Sequence, residues 1–289
     1  MIIQFLINGL ITGILYSLLA VGFALVYNTT RVFHIAAAAL YVMAAYVFYF
    51  FANVLELPII VSAFGAMIAT ALGSFILEVV VYRPLKNRKA SLNIAMIASI
   101  GIMTVVVNLI ALIFGNETKV INNVILPTYT LGDIIITTPQ IFQMSIGIIS
   151  LIAFMFFIKC SNWGLRLRAL SADEVLYETL GYKTRHSRTI VFLLSGMFIS
   201  LTSCLTVYDV GLDPHMGMNV LINAMVAMII GGIGRFNAPI LGGLLLGILQ
   251  SIVVYFFASN WQYAITFLLL LGFLFIRPQG LVGYKQRTI

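Results

Sequence analysis

The side chains that most often bind metals or transfer protons are sparse in this sequence. His34, His186 and His215 lie far apart along the chain, and neither a His-Glu-x-x-His pattern nor the Cys/His spacing of a zinc site occurs. A metal enzyme is therefore not expected. Glu78 is the one carboxylate within a long apolar stretch, where acids often serve as proton or ion sites. Because Arg83 follows one to two helical turns later, we expect Glu78 to pair with basic residues at the membrane surface, with a proton relay as the alternative.

The sequence also lacks a nucleotide-binding motif. No Gly-x-x-x-x-Gly-Lys-Ser/Thr pattern occurs, so there is no P-loop to hold the phosphates of ATP. No catalytic constellation occurs either, and we expect neither enzyme activity nor a cofactor. If ATP drives this protein, its hydrolysis must take place on separate polypeptides.

One segment, residues 163–188, concentrates polar and charged side chains and is called the polar segment below. Ser171 followed by Glu174 forms a capping box and Gly181 is a typical helix stop, which predicts a short helix over residues 172–180. The spacing predicts an apolar face made of Ala172, Val175, Leu176, Thr179 and Leu180. The face pointing away from it would carry Asp173, Glu174, Tyr177 and Glu178. Such a helix fits a groove on a partner protein, and the alternative is an interfacial helix that only joins two membrane spans.

The elements that position these residues must be membrane helices. Of the 289 residues, 62% are hydrophobic and 9% charged, whereas a soluble domain carries about a quarter charged residues. The mean hydropathy is +1.09. Stretches free of formal charge occupy residues 2–27, 32–55, 57–77, 90–116, 134–158, 189–208, 214–234 and 236–276. The last of these is long enough for two spans, with a polar interruption at Ser259, Asn260 and Trp261.

These stretches predict an all-α, polytopic integral membrane protein with about nine transmembrane helices, within a range of eight to ten. Residues 32–55 and 214–234 are the candidates for broken or re-entrant helices. Two small-residue pairs, Gly9 with Gly13 and Gly243 with Gly247, predict close packing between helices.

The basic residues cluster in alternate loops, which predicts the orientation of the chain. Lys and Arg in short loops are retained on the cytoplasmic side, so an outside N-terminus places the polar segment and the other basic clusters inside. The longest outside loop, residues 115–140, alternates in a way that predicts a short strand or hairpin. The net charge of +7 is then explained by membrane topology, and no nucleic-acid partner is expected.

Several motifs together resemble the permease subunits of branched-chain amino acid ABC transporters, and the resemblance covers nearly the whole chain. In chain order they are Gly9-x-x-x-Gly13-x-x-Tyr16-Ser17-Leu18, Arg83-Pro84-Leu85, Gly164-x-x-x-Arg168-Ala169 with Asp173 and Gly181-Tyr182, Gly231-Gly232-Ile233-Gly234, Gly242-Gly243-x-x-x-Gly247, and Arg277-Pro278-Gln279-Gly280-Leu281-x-Gly283. The resemblance implies one transmembrane permease domain over residues 1–289, located in a bacterial cytoplasmic (inner) membrane.

By the same resemblance, the chain is the permease subunit of a binding-protein-dependent importer of branched-chain or other hydrophobic amino acids. The implied partners are a homologous permease subunit, two cytoplasmic ATPase subunits and an extracytoplasmic solute-binding protein. The polar segment resembles the coupling loop of the family. The residues expected to couple transport to the ATPases are Gly164, Arg168, Ala169, Asp173, Glu174, Glu178 and Gly181.

Two positions depart from the family pattern. Where the family commonly shows Asn-Phe-Ala-His-Gly in the second span, this chain has His34, Ile35, Ala36, Ala37 and Ala38, and a position that is often Lys is Asn223. These departures keep import of urea, amides or another small solute open as an alternative. A second alternative is an ion-coupled secondary transporter, since such proteins use intramembrane ionisable groups.

Polar residues within the apolar stretches are the candidates for a translocation path. A solute that must be released again needs weak polar contacts rather than a deep site. The candidates are Asn8, Tyr16, His34, Asn219 and Asn223. The alternative for each is hydrogen bonding between helices, which is the commoner use of such residues.

Overall fold

The computed structural model of the chain describes residues 2–121, 127–131, 134–259, 261–277 and 279–282. Three residues named above, Asn260 of the polar interruption and Pro278 and Gly283 of the C-terminal motif, lie outside the described residues.

Long apolar helices make up most of the described chain. The first half contains α1 (Ile2–Thr30), α2 (Ala37–Tyr49), α3 (Ile59–Leu77), α4 (Arg83–Asn87) and α5 (Leu92–Phe114). The second half contains α6 (Thr138–Cys160), α7 (Asn162–Ala172), α8 (Glu174–Thr179), α9 (Thr184–Val210), α10 (Met216–Gly231), α11 (Ala238–Phe256) and α12 (Trp261–Ile276). Seven helical stretches of the described chain are long and apolar enough to cross a membrane, and α10 and α12 are two shorter apolar helices. The all-α, polytopic fold predicted from the sequence is confirmed.

Two helices continue into π-helical turns. α2 passes into the turn Phe50–Val54, and α3 passes into Glu78–Tyr82 before α4 begins. The sequence singled out residues 32–55 as a candidate broken helix, and the structure shows a chain without regular helix up to His34, followed by a continuous helical stretch, Ala37–Val54. The second π-helical turn carries two buried polar side chains, Glu78 and Tyr82. A π-helical turn widens the helix locally and is frequent at functional sites.

The chain folds into two compact units, each built from separate stretches of sequence. Unit 1 takes its described residues from Met1–Ala24, Ile125–Phe156 and Ile222–Ile289, and unit 2 takes them from Leu25–Val124 and Phe157–Leu221. The single domain over residues 1–289 stays a prediction.

In unit 1, α1 and α11 approach each other through small residues. A Cβ added to Gly247 would lie 2.4 Å from the Cα of Gly13, and one added to Gly243 would lie 2.5 Å from the backbone nitrogen of Ser17. Ser17 Oγ donates a hydrogen bond of 2.8 Å to the carbonyl of Ile240, which joins the same two helices. The close packing predicted from the glycine pairs is confirmed.

The predicted hairpin is also present in unit 1. Strands β1 (Thr128–Leu131) and β2 (Ile134–Thr137) pair antiparallel, with Leu131 opposite Ile134. The amide of Gln4 on α1 bonds the outer edge of β2 twice, since Nε2 donates to the carbonyl of Ile135 at 2.8 Å and Oε1 accepts from its amide at 2.9 Å. A side-chain amide thus replaces a third strand at this edge.

In unit 2, α9 packs against α2 and α3 through small and hydroxyl side chains. A Cβ added to Gly196 of α9 would lie 2.9 Å from the Cα of Ala71 on α3. Ser74 Oγ donates to the carbonyl of Phe192 at 2.7 Å, and Ser203 Oγ donates to the carbonyl of Tyr41 at 2.7 Å. Hydroxyl-to-carbonyl bonds of this kind join helices without burying an unpaired polar group.

Candidate functional site

The polar segment, which lies in unit 2, contains two short helices rather than one. The sequence predicted a helix over residues 172–180 capped by Ser171, whereas α7 covers Asn162–Ala172 and α8 covers only Glu174–Thr179. The capping residue of α8 is Asp173, whose Oδ1 accepts from the amides of Val175 at 2.8 Å and Leu176 at 3.0 Å. The prediction of Ser171 as the cap was wrong, because Ser171 itself belongs to the last turn of α7. Asp173 then supplies a carboxylate at the first free amides of the next helix.

The buried residue of α8 lies on the side opposite the predicted apolar face. Tyr177, expected to point away from the apolar face, is only 2% exposed, and its ring stacks on Tyr182 with the centroids 5.1 Å apart. Val175, Leu176 and Leu180, which the sequence placed together on the apolar face, are 73%, 58% and 65% exposed. The remaining residues of this six-residue helix bury too little surface to fix its orientation. The contact made by the large tyrosine ring therefore determines which side of α8 is covered. Val175, Leu176 and Leu180 are called the exposed apolar face below.

The acidic residues of α8 contact this chain itself. Glu174 forms an ion pair with Lys86 of α4. Oε1 of Glu178 accepts a hydrogen bond of 2.7 Å from the hydroxyl of Thr184 at the start of α9. With Asp173 engaged as the helix cap, all three carboxylates named as coupling residues stabilise the local structure of the polar segment.

The remaining coupling candidates are one glycine near the start of α7, one glycine after α8, and two exposed residues on α7. A Cβ on Gly164 would lie 2.4 Å from the carbonyl oxygens of both Phe157 and Ile158, so only glycine fits there. Gly181 has φ +83° and its amide donates to the carbonyl of Glu178 at 2.9 Å, which confirms the predicted helix stop. Arg168 and Ala169 are exposed on α7.

Glu78 pairs with a basic residue, as expected. Its carboxylate accepts from Arg83 Nη2 at 2.5 Å and Nε at 3.3 Å, and the same guanidinium donates to Thr189 Oγ1 at 3.0 Å. The Glu78 side chain is buried and Arg83 is mostly buried, so the pair is shielded from solvent.

Two of the five path candidates, Tyr16 and Asn223, meet in a hydrogen-bonded cluster of unit 1. Asn223 Nδ2 donates to the hydroxyl of Tyr16 at 3.2 Å, and its Oδ1 accepts from Gln250 Nε2 at 3.1 Å. Gln250 Nε2 also donates to Thr266 Oγ1 at 2.5 Å, and Thr266 Oγ1 lies 3.3 Å from Asn223 Oδ1. The cluster therefore joins α1, α10, α11 and α12. Sequence reasoning missed Gln250 and Thr266, although both are polar residues in apolar helices, the signal that singled out Asn223.

The other three path candidates lie elsewhere. Asn8 accepts a hydrogen bond of 3.3 Å from Gln4 within α1, and Asn219 is exposed on α10. His34 is fully buried in unit 2, between the spans Ile2–Thr30 and Ala37–Val54.

His34 belongs to a buried network that the sequence did not reveal. Its Nδ1 lies 2.7 Å from the hydroxyl of Tyr82, which donates to Ser99 Oγ at 2.9 Å, and Ser99 Oγ also accepts from the amide of Ala36 at 2.7 Å. The ring packs edge to face against Tyr82 and Phe192, with centroids 5.4 Å from each. Burial lowers the pKa of His34 to about 3, so the imidazole is neutral near pH 7.

Comparison with known proteins identifies the family. A sequence model of the family described as "Branched-chain amino acid transport system / permease component" matches residues 5–274. The chain belongs to this family. This permease is therefore a multi-pass membrane subunit of an ABC transporter, and as a transport subunit it is not itself an enzyme.

Relatives of this permease extend over nearly its whole length. It is 25% identical to the high-affinity branched-chain amino acid transport system permease protein LivH of Escherichia coli (strain K12), covering 98% of this chain and 96% of the relative. It is 26% identical to the corresponding protein BraD of Pseudomonas aeruginosa, with the same coverage. A probable LivH of Methanocaldococcus jannaschii is 24% identical, covering 96% of this chain and 92% of the relative.

One solved structure shares the fold of this permease. It is described as PsaBC from Streptococcus pneumoniae in complex with Fab, and it matches with a TM-score of 0.55 and 18% sequence identity. The match covers 96% of this chain and 93% of the other. Since the identity is low, this likeness concerns the fold alone.

Proposed function

We propose that this chain is the permease subunit of an ATP-driven importer of branched-chain or other hydrophobic amino acids in the cytoplasmic membrane of a bacterium. Hydrolysis takes place on two separate ATPase subunits, solute is delivered by an extracytoplasmic binding protein, and a homologous permease completes the membrane part. Family membership and relatives named as branched-chain amino acid permeases support the solute class. Urea, amides or another small solute are the alternative substrates.

The observation that carries the proposal is the exposed apolar face of α8. Three large apolar side chains on one face of a short helix are exposed, while the tyrosine on its other side is buried. Exposed apolar clusters on a polar segment are typical of protein–protein contacts. We propose that an ATPase subunit binds this face. Asp173, Glu174 and Glu178 hold α8 in place through their contacts within this chain.

Gly164, Arg168, Ala169 and Gly181 contribute to the same coupling surface in this proposal. Gly164 brings the start of α7 against the end of α6, and Gly181 ends the polar segment's second helix. Arg168 and Ala169 lie exposed on α7, where they extend the surface offered to the ATPase.

For the solute, we propose that Tyr16 and Asn223 line part of the path. Their cluster offers amide and hydroxyl groups within otherwise apolar helices, which suits weak and reversible polar contacts. A place on the path for Asn8, His34 and Asn219 stays a prediction from the sequence.

The test is co-expression with candidate ATPase, second-permease and binding-protein subunits from the same organism, followed by purification through a tag on this chain. We expect a P-loop ATPase and a second permease to co-purify, and uptake of leucine into proteoliposomes to require ATP and the binding protein. Val175→Gln combined with Leu176→Gln should raise the dissociation constant for the ATPase about tenfold or more, because both side chains lose apolar contact area. Leu57→Gln, an exposed leucine in the loop before α3, is the matched control.

Uptake by this chain alone under an ion gradient would contradict the proposal and favour a secondary transporter. ATP-dependent uptake of urea or an amide, without uptake of leucine, would support the coupling to an ATPase and contradict the proposed solute.

A further inference from the structure

The joint between α7 and α8 is contacted on both sides by basic side chains of other helices. Asp173, which connects the two helices, has an extended backbone with φ −153° and ψ 113°. Before the joint, Nη2 of Arg31 donates a hydrogen bond of 3.1 Å to the carbonyl of Ser171. After the joint, Lys86 forms its ion pair with Glu174. The two contacts bracket the joint.

Each contact places charge where a helix end favours it. The carbonyl of Ser171 lies in the last turn of α7, where backbone carbonyls lack partners within the helix and the helix dipole is negative. The guanidinium of Arg31 donates a hydrogen bond to this carbonyl and places a positive charge at the negative end of the helix dipole. Glu174 lies in the first turn of α8, where the free amides favour a carboxylate. The contacts therefore reinforce the local electrostatics of the two helices that meet at the joint.

Arg31 and Lys86 stand at the ends of two membrane helices. Arg31 follows α1 directly with φ +58°, an uncommon conformation outside glycine, and its amide donates to the carbonyl of Tyr27 at 2.8 Å. Lys86 lies near the end of the continuous apolar helix Ile59–Asn87. A third link runs from Tyr177 of α8 to Ser187 of α9, so α7 and α8 together are bonded to the ends of three membrane helices.

We propose that Arg31 and Lys86 are positioning residues that transmit a displacement of the joint between α7 and α8 to α1 and to the helix containing α3. The proposal rests on the function proposed above, because it takes the exposed apolar face of α8 as the point at which the ATPase acts. Lys86 and Glu174 are each 41% exposed, so solvent screens their ion pair and it adds little to folding stability. Its loss should therefore affect energy coupling while the protein still folds.

The experiment measures leucine taken up per ATP hydrolysed by the complete importer in proteoliposomes. Lys86→Glu and Glu174→Lys should each lower this ratio about fivefold, and the double variant with both exchanges should return to within about twofold of the unmodified importer. Arg88→Glu, at an exposed arginine directly after α4, is the matched control and should leave the ratio unchanged. Arg31→Ala should lower the ratio to a similar extent, and Arg31→Lys should recover part of it because a cation is retained at the carbonyl.

The amount of ATPase that co-purifies is measured on the same samples. It should be unchanged in every one of these variants, since none replaces a side chain of the exposed apolar face. If Lys86→Glu removes the ATPase, or if the ratio does not recover in the double variant, the transmission through Arg31 and Lys86 is refuted while the proposed function stands. If the unmodified chain retains no ATPase, the proposed function and the transmission through Arg31 and Lys86 are both refuted.

A neutral pair guards against misfolding of the reversed variants. Lys86→Gln combined with Glu174→Gln keeps the length of the Glu174 side chain, shortens that of Lys86 by one atom, and removes the attraction without adding repulsion. We expect a loss of about two- to threefold in the ratio, and an unchanged ratio would overturn the proposal.

Discussion

The hydroxyl oxygens of Tyr177 on α8 and Ser187 on α9 lie 2.8 Å apart, and both side chains are buried. Tyr177→Phe would keep the ring and remove this bond, leaving Ser187 without that partner. We expect the local stability of the polar segment to fall by about 1 kcal/mol, so that tryptic cleavage at Lys183 becomes about fivefold faster. Tyr182→Phe removes the hydroxyl of the stacked partner ring, which belongs to an exposed residue, and is the control. Equal acceleration by both variants would argue against the bond.

Glu178 offers a test of how the acidic residues act. Its carboxylate accepts from Thr184, and a glutamine oxygen can accept the same hydrogen bond. We expect Glu178→Gln to retain solute-stimulated ATP hydrolysis within about twofold, and Glu178→Lys to lose most of it because the acceptor is gone. ATPase assays on the reconstituted complex measure both. An equal loss in the two variants would show that the charge contacts the ATPase directly.

The cluster around Asn223 predicts a strong effect on transport. Asn223→Ala removes the acceptor of Gln250 and the donor to Tyr16, so buried polar groups lose partners at a cost of about 1–3 kcal/mol. We expect leucine uptake to fall about tenfold or more. Asn108→Ala on α5 is the control, because Asn108 is exposed and bonds only along its own helix in the described structure, to the carbonyl of Thr104 at 2.7 Å. Unchanged uptake in the Asn223 variant would remove this cluster from the path.

His34 predicts a pH dependence of stability. Burial lowers its pKa to about 3 in the folded protein, against an ordinary value of about 6.5. Between these values the unfolded chain binds a proton that the folded chain does not, so the stabilising contribution is complete above pH 6.5 and is lost progressively as the pH falls through this window. At pH 5 the expected loss is about 2 kcal/mol.

Thermal melting in detergent at pH 7 and pH 5 measures this loss. We expect His34→Gln to show a smaller decrease in melting temperature than the unmodified protein, because glutamine does not titrate. His215→Gln, at an exposed histidine, should behave like the unmodified protein. Identical decreases in all three proteins would rule out His34 as the titrating group.

The glycines between α1 and α11 predict a difference between two alanine substitutions. Gly247→Ala would place a Cβ 2.4 Å from the backbone of Gly13, so the helices must separate, and we expect a loss of about 1–3 kcal/mol. Gly272→Ala on α12 meets no atom within 4 Å and should be neutral or stabilising by up to about 1 kcal/mol. Melting temperatures of the two variants in one detergent make the comparison, and equal destabilisation would contradict the packing.

The sequence alone determined the features of this protein that depend on local pattern. Long charge-free stretches specify membrane helices because unpaired backbone groups cannot enter a bilayer, and strand-like alternation before Thr138 specifies the hairpin. Glycine spacing predicted close helix packing, and Gly181 predicted a helix end, since both follow from backbone geometry.

Only the tertiary structure decided which side of α8 is covered and which polar residues meet. A six-residue helix follows the strongest contact available, and that contact is the burial of Tyr177 against residues of the following turn and helix. The partners of His34 and Asn223 likewise come from helices distant in sequence. Local periodicity carries no information about such pairings, because they are set by how whole helices pack.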